Sequence, residues 1–440
     1  MVDVPRAKLR IGLVSTAAQG RGVDRSAGPW RALSDFLGAA PTRFRRPVTT
    51  GAYRPEIDGL RFFAIAGVVF GHLFERLDRF FPQFDALLRS PPLLLLSGVD
   101  MRHGVYLFFA VSGFIIASQA AKSRHSMVSA PFLKAYFGRR VLRIEPPYMI
   151  LLIATWAVVG LTGFVPDGTR QFDTPPHSLT VSLISSLFYV HDLVWGSLPR
   201  LFPPGWTLEV EVQFYLLAPL IFWAWFALRD VRLKLAAGAG VLIAAVALAA
   251  TTPATVGPFS LSYSLLRNFD FFWMGIFIAG LRDEIARLMA KAPAGAATAL
   301  GLAGLAALLG WPNPADGFGQ WLANRLAIDF GILAVFVSVL APASRVRAFC
   351  AAPWISLIGG ACYSLYLTHL QIIQVMTSLA ARFFPDAPTL ALVALMVGAL
   401  LAVVVVGLAY YVAIERVFMA PHWHRALAAK LFPKRAETLG

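Results

Sequence analysis

An all-α protein that crosses a membrane about ten times is the fold class this sequence predicts. Three observations predict it. The 440 residues are 58% hydrophobic and only 14% charged, with a mean hydropathy of +0.65, whereas soluble proteins carry roughly 45–50% apolar and about 25% charged residues. The apolar residues gather in stretches near the ~20 residues that a spanning helix needs. The lysines and arginines concentrate in alternate connections, which is the pattern that orients spans in a bilayer.

The first 52 residues are polar, basic and punctuated by Gly and Pro, and are predicted to form a flexible cytoplasmic extension. The run "IGLVSTAA" within them is too short and too polar to be a signal core or a span. The membrane domain is expected over 53–416. Its candidate spans are 58–77, 104–121, 142–162, 208–228, 233–250, 261–281, 295–311, 323–341, 353–378 and 390–414. A basic cytoplasmic tail follows over 417–440, in which "HRALAAKLF" has the pattern of a short interfacial helix.

One more stretch, 178–194 ("SLTVSLISSLFYVHDLV"), is apolar but short, with four serines, a His and an Asp. Loop charge decides its fate. With ten spans and both termini inside, the cytoplasmic segments hold 29 Lys and Arg and the outer segments hold 6. An eleventh crossing would invert every later loop. The stretch is therefore predicted to be re-entrant or to lie on the outer surface. The net charge of +15 follows from the same loop bias, so no nucleic-acid partner is implied. Cys350 and Cys362 lie in or beside apolar sequence and read as small packing residues. "HWH" at 422–424 offers two histidines without further ligands, so no metal is expected.

Polar residues inside the spans carry the functional signal, because ionisable groups are costly in hydrocarbon and usually face a cavity there. "RFFAIAGVVFGH" places Arg61 and His72 eleven residues apart. On a helix they share a face within about 20° and stand about 16–17 Å apart along the axis. The ordinary reading is a snorkelling Arg and a His bonded to a neighbouring helix. "LFFAVSGFIIA" sets Ser112 and Gly113 mid-span, which suits close helix packing. "FGRRVLRIEPPY" brings Arg139, Arg140 and Arg143 to the cytoplasmic start of the third span. Arg140 and Arg143 are i, i+3 and can point at one ligand, and guanidinium forks suit phosphates. Positive-inside topology alone would also put arginines there. "PPGWTLEVEVQFYL" carries Glu209 and Glu211, read as lying at the outer mouth of the fourth span, either for chemistry or to cap the helix start. "CYSLYLTHL" buries His369 in the ninth span, and Arg267, Asn268 and Asp270 form a further cluster read as self-paired. There is no phosphate-binding loop, nucleophile elbow or dinucleotide fingerprint.

Taken in order over 53–416, these pieces resemble the acyltransferase-3 family of membrane-bound O-acyltransferases, which decorate bacterial surface glycans. "RPEIDGLRFFAIAGVVFGH" is similar to the family's opening stretch, "FFAVSGFII" to its Ser-Gly-Phe segment, and "RRVLRIEPPY" to its basic loop. "GWTLEVEVQFY" is similar to its Trp-Ser-Leu-x-x-Glu-x-x-Phe-Tyr signature, which assigns the Glu role to Glu211 rather than Glu209; "YSLYLTH" and "IER" match its late segments. The chain departs from the pattern at Thr207, usually Ser, at Glu145 and Pro146 in the basic loop, and in lacking a Pro directly after Glu415-Arg416. With no esterase-like domain following, the bare membrane module is expected.

The resemblance implies acyl-CoA, with acetyl-CoA first, as a co-substrate on the cytoplasmic side, and a carbohydrate or glycolipid acceptor outside, in a bacterial inner membrane. It implies no permanently bound cofactor. Arg61, Arg139, Arg140, Arg143 and Ser112 are then expected on the donor side, and His72 and Glu211 in the chemistry. Asp58, Trp206, Tyr215 and His369 are expected in supporting or acceptor roles. An imidazole at His72 can take the acceptor's hydroxyl proton or carry the acyl group itself; Glu211 can orient His72 or hold the acceptor. The sequence leaves both choices open. It also leaves two other classes: a transporter of a surface lipid or sugar, disfavoured by the lack of two matching halves with broken helices, and an acyltransferase for a macrolide or lipid.

Overall fold

The computed structural model describes residues 29–47, 53–84, 100–123, 127–163, 173–293, 295–310, 317–420 and 423. The expected "HWH" site and most of the expected tail lie outside them. Helix α1 (Pro29–Arg43) belongs to a small unit ending at Phe44, and a large unit runs from Arg45 onward. Within the stretch expected as a flexible extension, 1–52, Pro29–Arg43 is thus a helix, and Arg45, Arg46 and Pro47 belong to the large unit.

The regular secondary structure among that unit's described residues is helical except for a two-residue antiparallel pairing, Thr255–Val256 with Phe259–Ser260. Its elements are α2 (Pro55–Phe80), α3 (Met101–Ala120), α4 (Ala130–Thr162), α5 (Leu179–Leu187), α6 (His191–Trp195), α7 (Trp206–Ala227) and α8 (Val231–Thr251). After the pairing come α9 (Phe269–Gly280), α10 (Arg282–Ala290), α11 (Ala296–Gly310), α12 (Phe318–Leu340), α13 (Arg345–Cys350), α14 (Pro353–Gly360), α15 (Cys362–Phe383) and α16 (Thr389–Tyr410).

The protein is an all-α polytopic membrane protein. Each of the ten predicted spans carries helix, and among the described residues seven helices are long and apolar enough to cross a membrane. The three that fall short have local causes. The predicted span 261–281 begins as irregular chain and a 3₁₀ turn (Leu265–Arg267), leaving α9 only 12 residues, or about 18 Å of rise. Helix α11 has 15 residues. The predicted 353–378 is two helices broken at Ala361, and α15 carries His369, Gln371 and Gln374 within it.

Among the seven long helices, α2, α3 and α12 are the most buried and, with the short buried α9, form the centre, whereas α4, α8 and α16 expose most of their surface. The centre is tight because small residues sit where helices cross. A side-chain carbon added at Gly113 would fall on the carbonyl of Phe272, and one at Gly275 on the carbonyl of Ala110, so α3 and α9 meet backbone to backbone. In α4, Pro146 and Pro147 remove two N–H donors. Side chains cover carbonyls around these prolines: Trp423 donates to Leu142, Tyr363 to Ile144 and Tyr410 to Pro147.

The segment 178–194 does not form a spanning helix; α5 has nine residues and α6 five. It folds inward instead. Both oxygens of the buried Glu209 accept backbone N–H groups at the start of α6, from His191 and Asp192, each at 3.1 Å. The His191 ring donates from Nδ1 to the Ser197 carbonyl and accepts at Nε2 from Ser182. Asp192 accepts from Ser260 and from the Tyr263 amide. Burial of these two titratable groups lowers the pKa of His191 and raises that of Asp192. Glu209 is therefore a clamp on this segment.

The reading of Arg267, Asn268 and Asp270 as self-paired is corrected. Asp270 forms a two-pronged buried ion pair with Arg325 of α12, both contacts at 2.5 Å. Arg267 donates to the Thr252 carbonyl and Asn268 to that of Ser264. A 3₁₀ turn before α9 points these side chains away from Asp270's helical face.

Candidate functional site

Three clusters contain the residues singled out in the sequence. The first lies where the start of α2 meets the start of α15 and the end of α16. Asp58 is fully buried and accepts from Arg61 at 3.0 Å, with Arg46 at 3.3 Å from the same oxygen. Burial and the neighbouring Arg61 hold the Arg46 guanidinium down to about 10. Arg143 faces this group too, within electrostatic reach of Arg46 and Glu415. Glu415, from the "IER" segment, accepts from the Ser364 amide and hydroxyl at the start of α15. Three guanidinium groups and two carboxylates thus converge, and we call this the basic end.

The second cluster centres on Glu211. One carboxylate oxygen accepts the hydroxyls of Ser112 at 2.6 Å and Tyr215 at 2.5 Å. Tyr136 donates to the Tyr215 carbonyl, and the Arg140 guanidinium lies over both rings, 3.6 Å from the centre of Tyr136 and 5.1 Å from that of Tyr215. Arg140 and Arg139 line a cavity of about 500 Å³ between the end of α3 and the start of α4, together with Gln119, Ser123, Ser129 and Tyr136.

The third cluster holds the imidazoles. His72 of α2 and His369 of α15 face one another with ring centres 5.1 Å apart. His369 is fully buried; its Nδ1 donates to the Tyr366 carbonyl at 2.6 Å, and its Nε2 has no partner. Nδ1 of His72 lies 3.5 Å from Glu75, one turn along the same helix. Tyr366 shares a 2.6 Å hydrogen bond with Thr207 and donates to the Pro204 carbonyl, so the imidazoles are tied to the start of α7. Trp206, beside Thr207, packs against Phe109 and Tyr263.

Three expectations need correction. Glu211 does not lie at a mouth. Its partner Ser112 is midway along α3, because the inward fold of the segment clamped by Glu209 starts α7 below the surface. Glu211 also makes no hydrogen bond or ion pair with His72; it meets Ser112, Tyr215 and the Arg140 side instead. Finally, Arg140 and Arg143 do not converge: Arg140 stacks on tyrosines while Arg143 faces Glu415 and Arg46. Their 60° offset on α4 suffices to part them.

Sequence reasoning missed Arg46, Glu75, Tyr136, Tyr366 and Glu415 as members of these clusters. Tyr366 stood three residues before His369, on the same helix face, and Glu75 three residues after His72. Arg46 carried no comparable signal, since nothing local marks a cation that folds back from a connection.

The acyltransferase domain matches residues 54–411. Among individual relatives, exopolysaccharide production protein ExoZ of Rhizobium meliloti is 28% identical over 343 residues, 76% of this chain and 94% of its own. Nodulation protein 10 of Rhizobium leguminosarum bv. viciae is 27% identical over 188 residues, 40% of this chain and 46% of its own. O-acetyltransferase OatA of Staphylococcus aureus is 24% identical over 336 residues, 74% of this chain but only 51% of its own. This chain therefore spans about half the length of two of these three. No solved structure matches. With most of its length matched, its spans helical and its polar motifs gathered at the centre, the chain belongs to the acyltransferase-3 family of membrane enzymes.

Proposed function

We propose that the protein is a multi-pass O-acyltransferase of the bacterial cytoplasmic membrane. It moves an acyl group, acetyl in the first instance, from acyl-CoA on the cytoplasmic face to a hydroxyl of a cell-surface carbohydrate or glycolipid on the outer face. Both termini are cytoplasmic in this reading. Its support is the layout of the polar groups along the central helices. The arginine-lined cavity lies at one level, the imidazole pair at another, and Arg61 and His72 are separated by about 16 Å of helix rise. That span is comparable to an extended pantetheine arm. The names of ExoZ and OatA point to surface polysaccharide and to O-acetyl transfer.

Arg139 and Arg140 hold the charged end of the donor, with Arg61 and Arg143 adding positive potential from the neighbouring cluster. His72 removes the acceptor's proton as its oxygen attacks the thioester carbonyl. The C–O bond forms, the C–S bond breaks, and the proton passes from the imidazolium to the departing thiolate. General-base assistance of this kind contributes about 10²–10⁴ in rate. Ser112 and Tyr215 fix Glu211, whose carboxylate faces the acyl path between the two levels.

The test is transfer of labelled acetyl from acetyl-CoA to cell-surface glycan, in membranes with and without the protein. Added acetyl mass on the glycan is expected only with the protein, and His72→Ala is expected to abolish it while leaving expression and donor binding intact. More than a tenth of the normal turnover in His72→Ala would remove His72 from the chemistry.

A further inference from the structure

We infer that Glu75 is the positioning residue for His72, holding the ring so that Nε2 is the atom that takes the hydroxyl proton. The inference rests on the reading of His72 as the base. The sequence offered Glu211 for this role, but Glu211 is occupied by Ser112 and Tyr215.

Glu75 is built for it. Residues i and i+3 of a helix are neighbours on one face, so Glu75 and His72 meet without any help from tertiary packing. One oxygen of Glu75 is pinned by Arg79 at 3.0 Å and Arg76 at 3.3 Å. The other oxygen lies 3.5 Å from Nδ1 of His72. A carboxylate only accepts, so the proton of the neutral ring belongs on Nδ1, and Nε2 keeps the lone pair. When Nε2 gains a proton in the reaction, the same carboxylate stabilises the imidazolium, as the Asp does in a Ser-His-Asp triad. At 3.5 Å Nδ1 makes no closed hydrogen bond in this structure, and catalytic hydrogen bonds are commonly long before substrate binds.

The charged and titratable groups around His72 are few. From α15 comes His369, whose Nδ1 is committed to the Tyr366 carbonyl. From α3, His103 turns instead to the Leu308 carbonyl. Helix α16 carries no charged residue, and the arginines of α13 lie at the far end of α2, where Arg347 reaches Glu56. Arg76 and Arg79 act through Glu75. Among the described residues, Glu75 is thus the carboxylate placed to set the His72 tautomer.

The experiment measures kcat and the KM for acetyl-CoA in membranes, with labelled acetyl-CoA as donor and the membranes' own surface glycan as acceptor. Glu75→Gln is expected to lower kcat about 10–100-fold with KM for acetyl-CoA within twofold of normal, below the loss of about 10⁴ seen when a triad carboxylate is neutralised, because Glu75 is partly exposed and not in closed contact. Glu75→Asp, which keeps the carboxylate, is expected to recover part of kcat. A kcat within twofold of normal in Glu75→Gln, or a matching rise in KM, overturns the inference. If Glu75→Gln does not accumulate, Glu75→Asp decides by the same split: a lowered kcat at unchanged KM supports the role, and an unchanged kcat or a raised KM overturns it. A dead His72→Ala beside a normal Glu75→Gln sinks this inference alone, whereas an active His72→Ala sinks the reading on which it rests.

Discussion

His72 and His369 face each other across the interface of α2 and α15, 5.1 Å between ring centres, and each keeps one buried ring nitrogen without a hydrogen bond, Nδ1 in His72 and Nε2 in His369. Because Nδ1 of His369 donates to the Tyr366 carbonyl, Nε2 presents a lone pair. A buried acceptor left unpaired costs about 1–3 kcal/mol, and a hydroxyl of the acceptor would relieve that cost.

His369→Ala is accordingly expected to raise KM for the glycan acceptor at least about tenfold, the scale of one buried hydrogen bond, with little change in KM for acetyl-CoA. Steady-state transfer with each substrate varied in turn measures the split. Equal effects on both constants would return His369 to packing alone.

Arg140 and Arg143 should separate in their effects. Arg140→Ala removes a cation from the wall of the cavity, and the expected result is a several-fold rise in KM for acetyl-CoA. Lys at 140 should rescue it only partly, since the planar stack on Tyr136 and Tyr215 is lost. Arg143→Ala leaves Glu415 with one fewer cation, and its expected signature is lower thermal stability in detergent with a smaller change in KM. Identical shifts in KM from both variants would mean that the two share one ligand after all.

Gly113→Ala adds a carbon where the Phe272 carbonyl stands. Overpacking costs typically about 1–3 kcal/mol even where side chains can adjust, and here the obstacle is backbone. Loss of most folded protein is expected by fluorescence size-exclusion, whereas Gly138→Ala, which meets nothing within 4 Å, serves as the silent control.

The inward-folded segment should loosen in acid. Burial lowers the pKa of His191, so between that value and the unfolded value near 6.5 the unfolded chain binds more protons than the folded one. Stability contributed by neutral His191 is present above about 6.5 and is lost as pH falls through the folded pKa. Limited proteolysis between Thr174 and Trp206 should quicken from pH 7.5 to 5.5, and His191→Gln should flatten that change. Asp192 works in the opposite sense at lower pH, its pKa being raised, and is common to both proteins. An equal slope in the two would assign the effect elsewhere.

What the sequence made legible was whatever depends on period and local spacing. Ten apolar stretches gave ten helical regions, loop charge kept 178–194 from crossing, and the mid-span residues Ser112, His72 and His369 fell in the central clusters. Partners that meet from distant segments were less legible. Glu211 was read at the outer mouth, with orienting His72 and holding the acceptor both open to it, yet it sits at the level of Ser112, in a helix whose start is tied to the segment that Glu209 clamps at His191 and Asp192, a contact no local pattern announces. Arg325 and Asp270 are 55 residues apart. Nothing at Asp270 signals its partner except the cost of leaving a buried charge unpaired.

The crossing of α3 and α9 has a mechanical consequence. Where side chains meet, a seam can yield by changing rotamers; where Gly113 and Gly275 set backbone on backbone, nothing is left to compress. Ser112 sits next to that fulcrum, so the anchor of Glu211 is held still through any breathing of the protein. The opposite wall, α4, carries Arg139 and Arg140 on a helix that is mostly unburied and holds Pro146 and Pro147 near its middle. In the proposed function, the widening that admits a long donor falls to α4 rather than to this stationary keel, so the two arginines travel with the moving wall while the carboxylate of Glu211 stays fixed.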